Sequence, residues 1–382
     1  MRTVVCKFGG SSTADAKCFR EIRRILDRSP ARRCVVLSAP GVDRSGGEKV
    51  TAMLIRLWRC RGESSEFAQL AEEIGRRFQR IAEGLGLPDP APRVMESLSR
   101  AAKISEAHLV SRGEWLCASL FSQYSGIPMV DAARLIAFDG AGVLDADTTL
   151  ERFSKIASLY DRFVVPGFYG ADGFGRVHTF PRNGSDITGA LAAAGIGASL
   201  YENWTDVPGL MTADPAIVPE ARLIPQVSYR QMRRLARAGA KVLHPACLDP
   251  VAAEGIPTRL RSFTSPDSFG TLIDDRSVET VPCIAGEARA VLPHAISCGV
   301  AGQEFDGQAP GAVPGKTCPE SAVSTGMVSR IDVFGVPESH AHRAAEALRP
   351  LCVTRDAERF SIYVPVDRYA GSMRALHRTL IE

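Results

Sequence analysis

The sequence predicts an α/β protein with a mostly parallel central sheet covered by helices on both faces, followed by a small α+β domain. Three observations carry this expectation. Up to residue 273, short apolar runs alternate with helical patterns, the signature of strands joined by helical crossovers. The first apolar run ends in a Gly-Gly pair that opens directly into a helical pattern, a strand-to-helix turn. Beyond that point the regularity loosens, then resumes as strand, helix, strand, helix.

In order along the chain, residues 3–8 form the first strand, and a polar-capped helical pattern covers 14–26. Residues 34–38, 128–130, 163–166, 199–204 and 258–261 read as further strands. Between 49 and 120 no strand is expected. Amphipathic segments such as Phe67-Ala68-Gln69-Leu70-Ala71-Glu72-Glu73-Ile74 mark a helical insertion there, suited to covering a site or building a dimer interface. Residues 301–320 carry Gly, Pro, Gln and Asp with little periodicity and read as a linker or long loop. In the tail, strands at 328–335 and 360–366 alternate with helices at 341–348 and 371–380. The expected domains are 1–275, an irregular segment 276–321, and 322–382.

Composition narrows the function classes. With 382 residues, 45% hydrophobic and 23% charged, the chain has the balance of a soluble globular protein of two or three domains. A formal charge of +3 gives no case for a nucleic-acid partner, and the basic run at 230–237 reads as a solvated helix face. Ten cysteines without a C-x-x-C pair suggest neither a disulfide framework nor a zinc site, so reduced thiols in the cytoplasm are expected. No apolar run approaches the length that spans a membrane, and the first strand is entered without a basic n-region and apolar h-region, so a leader is not expected.

The chemistry concentrates at Lys7-Phe8-Gly9-Gly10-Ser11-Ser12. A lysine, two bare backbones and two hydroxyls stand where a strand gives way to a helix, and glycine lets successive amides approach an anion. Taken alone, Gly-Gly is ordinary turn chemistry, and neither the Walker loop nor the dinucleotide fingerprint is present. Four more segments accompany it: Ser111-Arg112-Gly113-Glu114, Arg182-Asn183-Gly184-Ser185-Asp186, Trp204-Thr205-Asp206-Val207-Pro208-Gly209 and Gly239-Ala240-Lys241-Val242-Leu243-His244-Pro245. In this order, from residue 3 to about 273, they resemble the aspartate kinases of the amino-acid kinase superfamily. Tyr201-Glu202-Asn203-Trp204 and Pro166-Gly167-Phe168-Tyr169-Gly170 are most similar to the clostridial branch.

The resemblance implies the amino-acid kinase fold, a three-layer αβα sandwich, with a reduced ACT-like domain at the end. It implies transfer of the γ-phosphoryl group of ATP to the side-chain carboxylate of L-aspartate, with Mg2+ carried by the nucleotide rather than by a metal site of the protein. Lys7 and Asp186 are the residues it makes catalytic. Ser38, Thr51, Glu114, Arg182 and Ser185 are the substrate positions, Glu114 for the amino group and Arg182 forking onto a carboxylate. Lys7, Gly9, Gly10, Ser11, Thr205, Asp206, Met211, Asp214, Pro215 and Lys241 are the nucleotide positions. His244 reads as a packed structural histidine, because a carboxylate nucleophile is already ionised and needs no base. A homodimer is expected, with no nucleic acid or membrane partner.

The sequence departs from the family pattern in three places. Pro181 and Asn183 flank Arg182 where glycine or serine is usual, Met211 replaces a common aromatic, and Ala216 replaces an arginine near the nucleotide phosphates. Weak ATP binding is the expectation from Ala216. About 60 recognisable tail residues cannot hold the family's tandem ACT pair, so an effector pocket is not expected. Two other functions stay open from sequence: a kinase of another small acid such as glutamate, acetylglutamate, carbamate or a nucleoside monophosphate, and a non-catalytic amino-acid sensor or partner subunit.

Overall fold

The computed structural model describes residues 2–381 except 44–45, 182, 239, 241–242, 244, 276–281, 292–326, 349, 351 and 356–358. The chain divides into two units, Met1–Pro208 with Ala246–Asp274, and Gly209–Pro245 with Asp275–Glu382.

The first unit is built around the strand Val4–Phe8, which pairs in parallel with Arg32–Leu37 on one side and Leu200–Thr205 on the other. Phe163–Pro166 extends the sheet beyond Arg32–Leu37, and Thr258–Ser262 extends it beyond Leu200–Thr205, both in parallel. Thr271–Ile273 adds an antiparallel strand to Thr258–Ser262. Val4–Phe8, Arg32–Leu37 and Phe163–Pro166 are largely apolar because both of their faces are covered, whereas Thr258–Ser262 alternates buried and half-buried residues. Cys6 and Phe8 point into a core shared with Phe19, Ile22, Ile25 and Leu26 of the helix Ala16–Asp27, whose N-cap Asp15 accepts from the Cys18 amide at 2.8 Å. Lys7 alternates to the opposite face, toward the helix Gly184–Gly195. That helix is rich in Gly and Ala and buries most of its surface, which lets it lie close over the sheet.

Helices Val50–Arg59, Ser64–Leu85, Ala91–Ala101, Glu106–Val110 and Arg112–Ser125 fill the stretch where no strand was expected. They join the Cys6 and Phe8 face through Leu54, Leu57, Ile74, Phe78, Leu98, Cys117 and Phe121. A small mixed sheet of Leu144–Asp145, Ala137–Phe138, Tyr169–Ala171 and Val177–Thr179 lies apart from the main one. The strand expected at 128–130 is absent: Met129 makes an isolated parallel bridge to Val164, and Pro128 has no N–H with which to continue a ladder.

In the second unit, Cys283–Val291, Met327–Phe334, Phe360–Val364 and Cys352–Arg355 pair antiparallel in that order. Helices Glu338–Ala347 and Tyr369–Leu380 cover one face through Ala341, Ala344, Met373 and Leu376, against Ile331, Val333, Ile362 and Val364. Two of these strands correct the sequence reading. Cys283–Val291 falls in the segment expected to be irregular, and Cys352–Arg355 was not expected at all. Gly286 and three alanines dilute the β-propensity of the first, and its partner lies more than 30 residues away in sequence. The residues read as a linker at 301–320 lie outside the described residues. Among the described residues, no helix is long and apolar enough to cross a membrane.

Candidate active site

Strand ends carry the site. Lys7 is nearly buried on the central strand, and its Nζ lies 2.6 Å from Asp186 Oδ1 in the first turn of the helix Gly184–Gly195. The Asp186 carboxylate also accepts from Asn203 Nδ2 at 2.7 Å, and its backbone carbonyl accepts from the Tyr201 hydroxyl at 3.2 Å. The helix begins at Asn183, whose φ of 50° is left-handed, a conformation asparagine tolerates better than most residues. Asp186 therefore does not cap the helix. It stands beside the positive end of the helix dipole and orients the lysine.

After the strand, Gly10–Thr13 form one turn of 3-10 helix, and Gly9 N donates to the Trp204 carbonyl at 3.3 Å. A Cβ on Gly9 would sit 3.4 Å from Lys7 Nζ, so glycine keeps the space over the ammonium open. Ser11 is exposed on this turn. Lys7 and the turn carrying the amides of Gly10 and Ser11 converge here on space suited to an anion.

The second half of the site begins at Ser38, whose amide donates to the Phe8 carbonyl at 3.1 Å. Its neighbour Ala39 touches both halves. The Ala39 carbonyl would be 3.1 Å from a Cβ on Gly10, and its methyl 2.9 Å from a Cβ on Gly113. Beside Gly113, Glu114 is 4% exposed. Burial pushes its carboxyl up to about 8, against the opposing pull of the backbone amides of Ala39 and Glu114 itself and the charge of Arg112. Oε2 of Glu114 has no hydrogen-bond partner among the described residues. Arg112 makes no ion pair with it; the guanidinium donates to the His108 carbonyl and to Ser111 Oγ and lies over Trp115 and Tyr169. A buried carboxyl left with an open oxygen is costly, and an incoming ammonium is the ligand that would relieve it. Thr51 is half-buried on the helix Val50–Arg59, and Ser185 is buried at the start of Gly184–Gly195, where its Oγ lies 2.6 Å from the point a Cβ on Gly167 would occupy.

Thr205 ends the strand next to Lys7 and Asp206 follows it, and Thr205 Oγ1 donates to Asp206 Oδ1 at 3.1 Å. Met211, Asp214 and Pro215 belong to the second unit. There Met211 bridges to Leu223, and the Asp214 carboxylate accepts from the Ala216 amide at 2.9 Å. Arg182, Lys241 and His244 lie outside the described residues.

Three residues escaped the sequence reading. Asn203 is the parallel partner of Lys7 in the next strand, so its place beside Asp186 follows from register, which needs the sheet order. Thr13 has its buried hydroxyl within 3.1 to 3.3 Å of the carbonyls of Gly9, Gly10, Ser38 and Ala39. Phe168 holds φ at 80°, strained for an aromatic residue, with its amide donating to Thr188 Oγ1 at 3.1 Å. No sequence pattern announces that strain.

Fold and site thus define a parallel α/β domain with an anion cradle and a buried carboxyl joined at its strand ends. The model of the amino acid kinase family matches residues 2–262, and the chain belongs to that family. Aspartokinase 3 of Bacillus subtilis (strain 168) is 31% identical over 301 residues, covering 74% of this chain and 66% of the relative. Lysine-sensitive aspartokinase 3 of Escherichia coli (strain K12) is 31% identical over 297 residues, covering 72% and 64%. The chain therefore spans a little under two thirds of the length of either relative. Two solved structures share the fold along its length. The Clostridium acetobutylicum aspartate kinase has a TM-score of 0.79 at 24% identity, covering 99% of this chain and 100% of its own. E. coli aspartokinase III in complex with aspartate and ADP has a TM-score of 0.77 at 23% identity, covering 100% of both chains.

Proposed function

We propose that the protein is an aspartate kinase, transferring the γ-phosphoryl group of MgATP to the β-carboxylate of L-aspartate to give 4-phospho-L-aspartate. The observation that carries this is the junction at Ala39, which joins a lysine-glycine anion cradle to a buried carboxyl with an open oxygen. Phosphoryl transfer asks a protein mainly to align donor and acceptor and to neutralise charge on the migrating group. Lys7, aimed by Asp186, and the amides of Gly10 and Ser11 supply the charge; Mg2+ enters with the nucleotide and neutralises its phosphates. Glu114 takes the ammonium of aspartate and Arg182 a carboxylate, with Ser38, Thr51 and Ser185 completing the pocket. Thr205 and Asp206 lie on the nucleotide side of the first unit, and the family resemblance gives Met211, Asp214, Pro215 and Lys241 to the nucleotide as well. The names of the relatives support this reading, and one structural neighbour was solved with aspartate and ADP. The enzyme acts in the cytoplasm as a homodimer.

Hydroxylamine trapping of the acyl phosphate across a panel of amino acids tests the assignment. Hydroxamate formed with aspartate alone is the expected result. Turnover with a different acid would move the substrate, and silence with every acid beside intact ligand binding would favour a sensor.

A further inference from the structure

The helix Ser64–Leu85 buries a stripe of Leu70, Ala71, Ile74, Phe78, Ile81 and Ala82, and Arg77 sits within it at 6% exposure. An arginine on an apolar stripe is expensive to bury, the more so here because its Nε has no hydrogen-bond partner among the described residues, and a leucine there would pack as well for stability. Its partners lie on the two loops that carry the site. Arg77 Nη2 donates to the Ala14 carbonyl at 3.0 Å and to the Gly41 carbonyl at 2.7 Å, and Nη1 pairs with the Asp43 carboxylate. Ala14 ends the turn that begins at Gly9; Gly41 and Asp43 follow Ser38 and Ala39.

The loops meet tightly at this seam. Gly41 N donates to the Gly10 carbonyl at 2.8 Å, and a Cβ on Gly41 would fall 2.7 Å from that carbonyl carbon and 3.0 Å from the Ser11 amide nitrogen. Thr13 closes the inner end of the seam through the carbonyls around its hydroxyl. Arg77 closes the outer end with a planar fork that lysine cannot reproduce.

We propose that Arg77 is a positioning residue, which fixes the glycine turn against the Ser38–Asp43 loop and so sets the distance between the phosphoryl donor and its acceptor. This rests on the kinase reading above. One loop holds the anion cradle and the other packs, through Ala39, on the segment of the buried carboxyl that seats the ammonium of aspartate, so their spacing sets how far the acceptor lies from the donor. In-line transfer is steep in that distance: a displacement of 1 Å costs on the order of a hundredfold. The partners of Arg77 are Ala14, Gly41 and Asp43, none of which is assigned to either ligand, so its loss lowers kcat with little change in either Michaelis constant.

The test compares Arg77→Met, which keeps the stem, Arg77→Lys, which keeps the charge, and Gly41→Ala, which wedges the seam while leaving the guanidinium. Arg76→Met, at an exposed position next door, is the control. Expected for Arg77→Met are a kcat reduced at least about tenfold, both Michaelis constants within about threefold, and ADP released in excess of acyl phosphate as water replaces the misplaced acceptor. Arg77→Lys recovers part of kcat, and Arg76→Met behaves as wild type. Hydrogen exchange reads the same seam without substrate, and the Gly41 amide should lose protection while the helix Ala16–Asp27 keeps its own. A kcat for folded Arg77→Met within twofold of wild type overturns the proposal. If Arg77→Met does not fold, Gly41→Ala decides by the same criteria. If the wild type phosphorylates no amino acid, the kinase reading fails on that ground, and exchange at Gly41 in Arg77→Lys alone decides whether the latch exists.

Discussion

Glu114 offers the sharpest handle on the chemistry, because its proton should leave when aspartate arrives. The carboxyl is held at about 8 by burial, so about nine-tenths of the free protein carries the proton at pH 7 and about half at pH 8. An ammonium placed against Oε2 favours the ionised form and drives the proton off. The affinity for aspartate should therefore rise roughly ninefold from pH 6 to pH 7 and roughly fivefold from pH 7 to pH 8, then level off. Titration calorimetry in two buffers of different ionisation enthalpy counts the protons, with about 0.9 released per site at pH 7 and few at pH 9. Glu114→Gln should abolish both the slope and the release, and weaken aspartate binding at pH 8 by about 2 kcal/mol or more, about thirtyfold. Stability runs the other way. The folded carboxyl titrates above its unfolded value of 4.5, so its neutral form stabilises the fold fully below that value, and the contribution is lost as pH rises toward 8. Glu114→Gln should thus melt higher than wild type at pH 8, with the gap closing as pH falls toward 4.5. Aspartate affinity that stays flat from pH 6 to pH 8, without proton release, would refute the reasoning.

Other outcomes follow from the same geometry. Ala216 is exposed beside Asp214, and Ala216→Arg should lower the Michaelis constant for ATP by about tenfold, one charge-assisted contact being worth about 1.5–3 kcal/mol; an unchanged constant would mean another cation already serves. Gly167→Ala drives a methyl to 2.6 Å from Ser185 Oγ and should cost more than about tenfold in turnover in the hydroxamate assay, whereas Gly173→Ala, with nothing near it, should cost nothing. Lysine, threonine and methionine at millimolar concentration should each leave activity within about twofold, since the described tail folds a single four-stranded sheet; saturable inhibition beyond that would reveal an effector site.

Much of the fold was legible because it is written locally. The apolar run at 163–166 and the helical stretch from 49 to 120 carry their period and composition in the residues themselves, and Gly9-Gly10 marks the strand end where the anion cradle forms. What escaped depends on partners distant in sequence. Cys283–Val291 becomes a strand by pairing with Met327–Phe334, and Asn203 joins Asp186 through the register of two strands separated by almost 200 residues. Arg77 is instructive: charged residues on amphipathic helices usually face water, and only its spacing from Leu70, Ile74 and Ile81 hints that it points inward. The backbone strain at Phe168 has no signature in sequence.

The central claim is that Lys7, aimed by Asp186 at 2.6 Å, stabilises a phosphoryl group on its way to aspartate. Trapping the acyl phosphate with hydroxylamine, in MgATP and L-aspartate, compares wild type with Lys7→Ala under saturating substrates. Wild type should accumulate aspartyl hydroxamate steadily, and Lys7→Ala should lose on the order of a hundredfold or more in turnover, the scale of a transition-state charge contact removed. A Lys7→Ala protein that makes hydroxamate at the wild-type rate would contradict the account.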